Sequence, residues 1–171
     1  MYYKIVERFG LERGKEWLDY LEWRGLALTS FDSVDGSLRF DLFEPESTRD
    51  FQNSVNEDFK TSLITNLEFA RSVIDRYENA MIVGVDIELD ASYVAGKGLL
   101  GYDIVDAYCD VSLVTNWGSD TKGVIGDIVG SNGLIADLPT ALKTRDALRA
   151  KYGEDPHAEK CEVWAIYDVG N

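Results

Sequence analysis

The stretch "IVGVDIELDASY", residues 82–93, carries the reading of the fold. Val85, Ile87 and Leu89 alternate with Asp86, Glu88 and Asp90. A period of two belongs to a strand, whose side chains take opposite faces in turn. The pattern therefore predicts three aliphatics on a buried face and three carboxylates on the other. Together with the preceding "AM", the stretch reads as a central strand at its start and a half-exposed strand at its end.

Working outward, Phe59, Leu63, Leu67, Ala70, Ile74 and Tyr77 recur at helical spacing and predict the longest helix over 57–78. On the other side, "YVAGKGLLGYD" (93–103) is glycine-rich and reads as a loop. "CDVSLVT" (109–115) reads as a short strand, and the glycine-rich 116–133 as irregular backbone. Pro139 suits a first helical turn, followed by "TALKTRDALRAKY" with Ala141, Leu142, Leu148 and Tyr152 inward and Gly153 as the stop. "KCEVWAIYDV" (160–169) is apolar on both faces after Val163 and reads as a covered interior strand. Nearer the start, Leu11, Trp17, Leu18 and Leu21 predict a helix over 11–24 that ends at Gly25. Asp35-Gly36 marks a hairpin within 26–43, with Leu38, Phe40 and Leu42 on its buried face. The order α-β-β-α-β-β-α-β points to an α+β fold, a mostly antiparallel sheet packed by helices, with residues 1–171 as a single domain.

The composition suits a globular chain: hydrophobic residues make up 45% and aromatics 12% of 171. The net charge is -14, from 17 basic and 31 acidic residues. That balance argues against nucleic acid as a partner, because phosphate binding needs a basic footprint, and against an anionic membrane surface. It suits a basic protein partner. The opening "MYYKIVERFGLE" carries charges early, so no signal peptide is expected, and no apolar run is long enough to span a membrane. The two cysteines, Cys109 and Cys161, lack metal-ligand pairing and are expected to be reduced, which places the chain in the cytoplasm.

Asp86, Glu88 and Asp90 on one strand face stand about 6.8 Å apart in sequence order, at roughly 3.4 Å per residue. That is too wide for all three to share one metal ion without another element, and the position where a restriction-type nuclease carries lysine holds Asp90. His157, the chain's one histidine, precedes Cys161 by four residues. An extended run between them puts a Cys-His contact out of reach, so His157 reads as a loop residue and Cys161 as core. "GKGLLG" and "GVIGDIVG" do not match a phosphate-binding loop. No catalytic centre, metal or cofactor is expected from these residues. Trp117, in the turn-like "TNWGSD", is either an interface anchor or a ring folded over the core.

Residues 84–120 hold seven acids, Asp86, Glu88, Asp90, Asp103, Asp106, Asp110 and Asp120, against the one base Lys97. If their strands are neighbours, these carboxylates form one surface. Like charges on adjacent strands cost a few tenths of a kcal/mol each. A cationic partner would offset that cost, and association would be steered and salt-sensitive. The seven acids and Trp117 are therefore the candidate partner-binding residues.

A small, strongly acidic chain of this size without a catalytic constellation resembles, as a class, the immunity proteins of bacterial polymorphic-toxin and contact-dependent growth inhibition systems. The resemblance rests on size, charge, compartment and the lack of catalytic residues. It implies a stoichiometric inhibitor of a cognate toxin domain, often a basic nuclease, whose active site it occludes. No residue is carried over from it. The alternatives are a small cytosolic hydrolase or metal-dependent enzyme with a site assembled from distant carboxylates, and a structural or regulatory subunit.

Overall fold

A computed structural model of the chain describes residues 1–7, 63–64, 66–75, 80–89, 98–106, 111–114, 123–125, 128–130 and 133–170. The helix expected over 11–24, the hairpin expected over 26–43, and Asp90, Asp110, Trp117 and Asp120 lie outside these residues.

Among the described residues, five strands form one antiparallel sheet: β1 (Tyr2–Glu7), β2 (Ala80–Asp86), β3 (Leu99–Asp106), β4 (Val111–Ser112) and β5 (Cys161–Asp168). Their order across the sheet is β1-β2-β5-β3-β4. Each neighbouring pair is antiparallel. The described residues also include the helices α1 (Leu67–Ile74), α2 (Leu138–Tyr152) and the single-turn α3 (Pro156–Glu159). The α+β class and the antiparallel sheet are as expected.

The sequence explains why β5 takes the centre. Cys161, Val163, Ala165 and Tyr167 join one apolar cluster with Tyr102, Ile104, Ala141 and Leu148. Trp164 and Ile166 join another, on the opposite face, with Val83, Val85 and Val105. A strand apolar on both faces needs cover on both, which an interior position supplies.

Helix α2 lies on the first face, against β3 and β5. It starts where Asp137 caps it, accepting the Thr140 N–H at 2.9 Å, and Gly153 closes it. Its inward side holds Ala141 and Leu148, as expected, and Thr144, which was not, with Leu142 and Tyr152 half-buried beside it. Helix α1 packs against β1 and β2, with Ala70 set among Ile5, Ile64 and Ile82.

Two expectations are corrected, and one strand is new. The helix predicted from residue 57 begins, among the described residues, only at Leu67. The Asn66 side chain accepts the N–H groups of Glu68 and Phe69, at 2.9 and 3.2 Å, and so caps it. Ile64 instead exchanges two backbone hydrogen bonds of 2.7 Å with Tyr3, so its apolar side chain serves a sheet edge. Strand β1 carries no expectation in the sequence reading, since it is short and lacks strict alternation. Part of 93–103, read as a loop from its glycines, is strand β3. Gly101, at φ 147°, marks a bulge there, and a Cβ at that position would stand 2.8 Å from the Ile135 carbonyl oxygen. That close approach lets Tyr102 and Ile135 exchange backbone hydrogen bonds of 2.8 Å along the outer side of β3.

Candidate functional site

The acids of the opening stretch do not stay in alternation. Strand β2 ends at Asp86, whose carboxylate accepts the Glu88 N–H at 3.0 Å. A short carboxylate that bonds the backbone two residues on diverts the chain from the ladder. Leu89 then sits at φ 55°, so residues 87–89 bend away and are not strand. Asp86 is 5% exposed, while Glu88 is exposed to solvent.

Asp103 and Asp106 are also inside, at 2% and 3% exposure. Asp103 faces the side of Trp164 and Val105. Its Oδ1 accepts the Ser112 hydroxyl at 2.7 Å and the Ile104 N–H at 2.8 Å, and Ser112 Oγ in turn accepts the Val114 N–H at 3.1 Å. This is a buried tie between β3 and the turn after β4. Asp106, the last residue of β3, pairs across the sheet with Cys161 and faces α3. There its Oδ2 meets Nδ1 of His157.

Of the candidate acids that are described, three are therefore buried and one, Glu88, is exposed. The condition that the two acid-bearing strands be neighbours also fails: β5 and β3 stand between β2 and β4. The carboxylates of residues 84–120 do not form one continuous exposed face among the described residues.

His157 sits in α3 rather than in a loop. Pro156 opens that helix and Asp155 caps it, accepting the His157 N–H at 2.9 Å. The imidazole is half-exposed, with its Nδ1 turned to the buried Asp106 carboxylate. Sequence spacing gave no sign of this partner, 51 residues away. Cys161 is fully buried, as expected, and burial pushes its thiol up, against the opposing effect of the nearby Arg149 guanidinium. A thiol held protonated is a poor nucleophile. Arg149 donates to the Cys161 carbonyl and to Glu162 Oε1, the latter at 2.9 Å, and Arg145 lies 3.8 Å from Glu162 Oε2. These two arginines tie α2 to the start of β5, beyond the reach of β2, which pairs only with Ala165–Asp168.

A second polar group lies nearer mid-sheet. Tyr102 and Tyr167 are 4% and 2% exposed and face α2. Burial and then Asp137 push the Tyr102 phenol up; burial, then Asp86 and Tyr102, do the same for Tyr167. No cluster of three or more histidine, cysteine or acidic side chains suited to a metal ion occurs among the described residues. No described helix is long and apolar enough to cross a membrane. Comparison with protein-family models, curated proteins and solved structures gives no match.

Proposed function

We propose that this chain is a cytoplasmic inhibitor of the immunity-protein kind, which binds a basic protein partner such as a nuclease toxin domain and occludes it. The observation that carries this reading is the net charge of -14, too large for three buried carboxylates to account for. A surface so charged steers a basic partner and repels nucleic acid and anionic membrane. The burial of Asp86, Asp103 and Asp106 refines the proposal. Those three act within the fold, and Glu88, with Asp90, Asp110, Asp120 and Trp117, is left to meet the partner.

The test is capture on the tagged chain at low and high salt, followed by affinity measurements on the partner identified. A single basic protein, released by salt and inhibited in proportion to the chain added, is the expected result. Replacing Glu88, Asp90, Asp110 and Asp120 together by lysine is expected to abolish binding while the fold is kept. Unchanged affinity in that variant overturns the acidic-surface reading.

A second reading draws on the His157–Asp106 pair. A buried carboxylate behind a half-exposed imidazole fixes the ring and its tautomer, as a general base requires. Under this reading the chain is a small hydrolase, and His157→Gln removes turnover of its substrate without loss of partner binding. Inhibition that survives His157→Gln favours the first reading.

A further inference from the structure

Helix α2 buries Ala141, Thr144 and Leu148. On its opposite side Lys143, Ala147, Ala150 and Glu154 are all exposed. Their spacing is four, three and four residues, which is one stripe along a helix and the spacing of a coiled-coil seam. Gly153 holds near-helical angles, φ -65° and ψ -8°, so Glu154 continues the path of the helix.

The stripe is complementary to itself. Turned end for end, a second copy of α2 brings its Glu154 opposite Lys143, its Lys143 opposite Glu154, and its two alanines opposite Ala150 and Ala147. Two antiparallel copies therefore make two attractive pairs about a twofold axis that passes between Ala147 and Ala150. The small side chains at the centre let the two backbones come close. Neighbouring charges leave the seam clear. Asp146 is held by Arg145 at 2.8 Å, and the Lys151 ammonium lies 4.9 Å from the centre of the Tyr152 ring. Neither Lys143 nor Glu154 has an ion-pair partner among the described residues.

Charge also selects the occupant. The chain carries -14, so two copies repel over most of their surface. A seam of one lysine, two alanines and one glutamate has no net charge, and there the repulsion is least. A basic partner meets a lysine on it and an acidic partner meets a glutamate, whereas a second copy answers both. The 15 residues of α2 span about 22 Å, a strip too small to reach the roughly 800 Å² that each partner buries in a stable complex, so the association is weak and reversible.

We propose that α2 is a self-association surface, on which two copies of this chain pair antiparallel through Lys143, Ala147, Ala150 and Glu154. The dimer stands whether or not the inhibitor reading holds.

Sedimentation equilibrium of the full chain measures the association constant, at about 0.15 M salt, where exposed charges are screened beyond about 8 Å. A reversible monomer–dimer equilibrium is expected over about 10 μM to 0.5 mM chain. Lys143→Glu and Glu154→Lys each turn two attractive pairs into two repulsive ones, and each is expected to weaken association about tenfold. Glu154→Lys does so although it lowers the net negative charge, the opposite of what general repulsion predicts. The double variant, and an equimolar mixture of the two single variants, rebuild both pairs and are expected to return close to the parent's association constant. A parent that stays monomeric throughout this range leaves α2 to a different occupant and overturns the proposal. So do single variants that associate as the parent does, or a double variant and mixture that stay as weak as the single ones.

Discussion

Asp103 offers the sharpest separation of a structural acid from a binding one. It is 2% exposed, and one oxygen, Oδ1, accepts both the Ser112 hydroxyl at 2.7 Å and the Ile104 N–H at 2.8 Å. Ser112 is itself buried and holds the Val114 N–H, so the tie fixes the turn that follows β4. Asp103→Ala removes the acceptor for two buried donors. Each donor left without a partner costs about 1–3 kcal/mol, and the Ser112 hydroxyl can turn elsewhere, so the expected loss is about 2–5 kcal/mol. Asp103→Asn keeps an oxygen where Oδ1 stands and loses the charge, for a smaller expected cost of about 1–2 kcal/mol. Urea unfolding reads both values as a fall in midpoint at constant slope. Binding of a basic partner is expected to be unchanged in Asp103→Asn, because the carboxylate does not reach the surface. The reasoning is refuted if Asp103→Ala stays within about 0.5 kcal/mol of the parent, the range of an ordinary surface substitution. It is equally refuted if Asp103→Asn unfolds like the parent yet loses partner affinity.

Three further outcomes are expected. His157→Ala takes one charge-assisted partner from the buried Asp106 and is expected to lower stability by about 1–3 kcal/mol in the same unfolding assay, with His157→Gln restoring part of it. Tyr102 and Tyr167 are raised above 10.0 in the folded chain, and Cys161 above 9.0. The folded state therefore holds these protons more tightly than the unfolded one, so their contribution is whole below those ordinary values and is lost as pH rises through the raised ones. Thermal melts across pH 8–11 are expected to show a fall in midpoint that begins near pH 9–10 and is smaller in Tyr167→Phe. Asp137→Ala removes the α2 cap, at about 1 kcal/mol, read by the same melts at neutral pH.

The parts of the fold that were legible are those where one local signal sufficed. Helix α2 carries its proline in the first turn and its closing glycine, and it stands where those two place it. Strand β5 declares its interior position by being apolar on both faces. Misreadings came where one signal had two physical causes. Leu63 fits a helical repeat, yet its neighbour Ile64 is committed to a backbone exchange with Tyr3, a contact invisible to periodicity. The glycines before Tyr102 suggested a loop, whereas Gly101 admits a neighbouring backbone to the edge of a strand. For the candidate site, the residue types are legible in the sequence and their surroundings are not. The partner of His157 is set by the pairing of Asp106 with Cys161, which brings the end of β3 under α3.

The placement of the acids follows from their length. Strands β2 and β3 both run antiparallel to β5 and so run the same way, and Asp86 and Asp106 are their last residues. They stand opposite Ala165 and Cys161, four residues and about 13 Å apart along β5. Both are buried: Asp86 bonds the backbone two residues on, and Asp106 meets a side chain from the next layer. Asp168 closes β5 in the same manner, accepting the Gly170 N–H at 2.8 Å, although it is exposed. A one-carbon stem keeps an aspartate carboxylate near its own backbone, where it ends a strand by competing with the ladder. Glutamate has a longer stem and less hold on nearby N–H groups, and Glu88 and Glu162 both face solvent. An aspartate after an apolar run thus marks a strand end before it marks an interface. On that argument Glu88→Lys weakens a basic partner and leaves the unfolding midpoint in place, whereas Asp86→Lys lowers the midpoint first. The reverse pattern would show that the strand-end acids, and not the exposed glutamate, meet the partner.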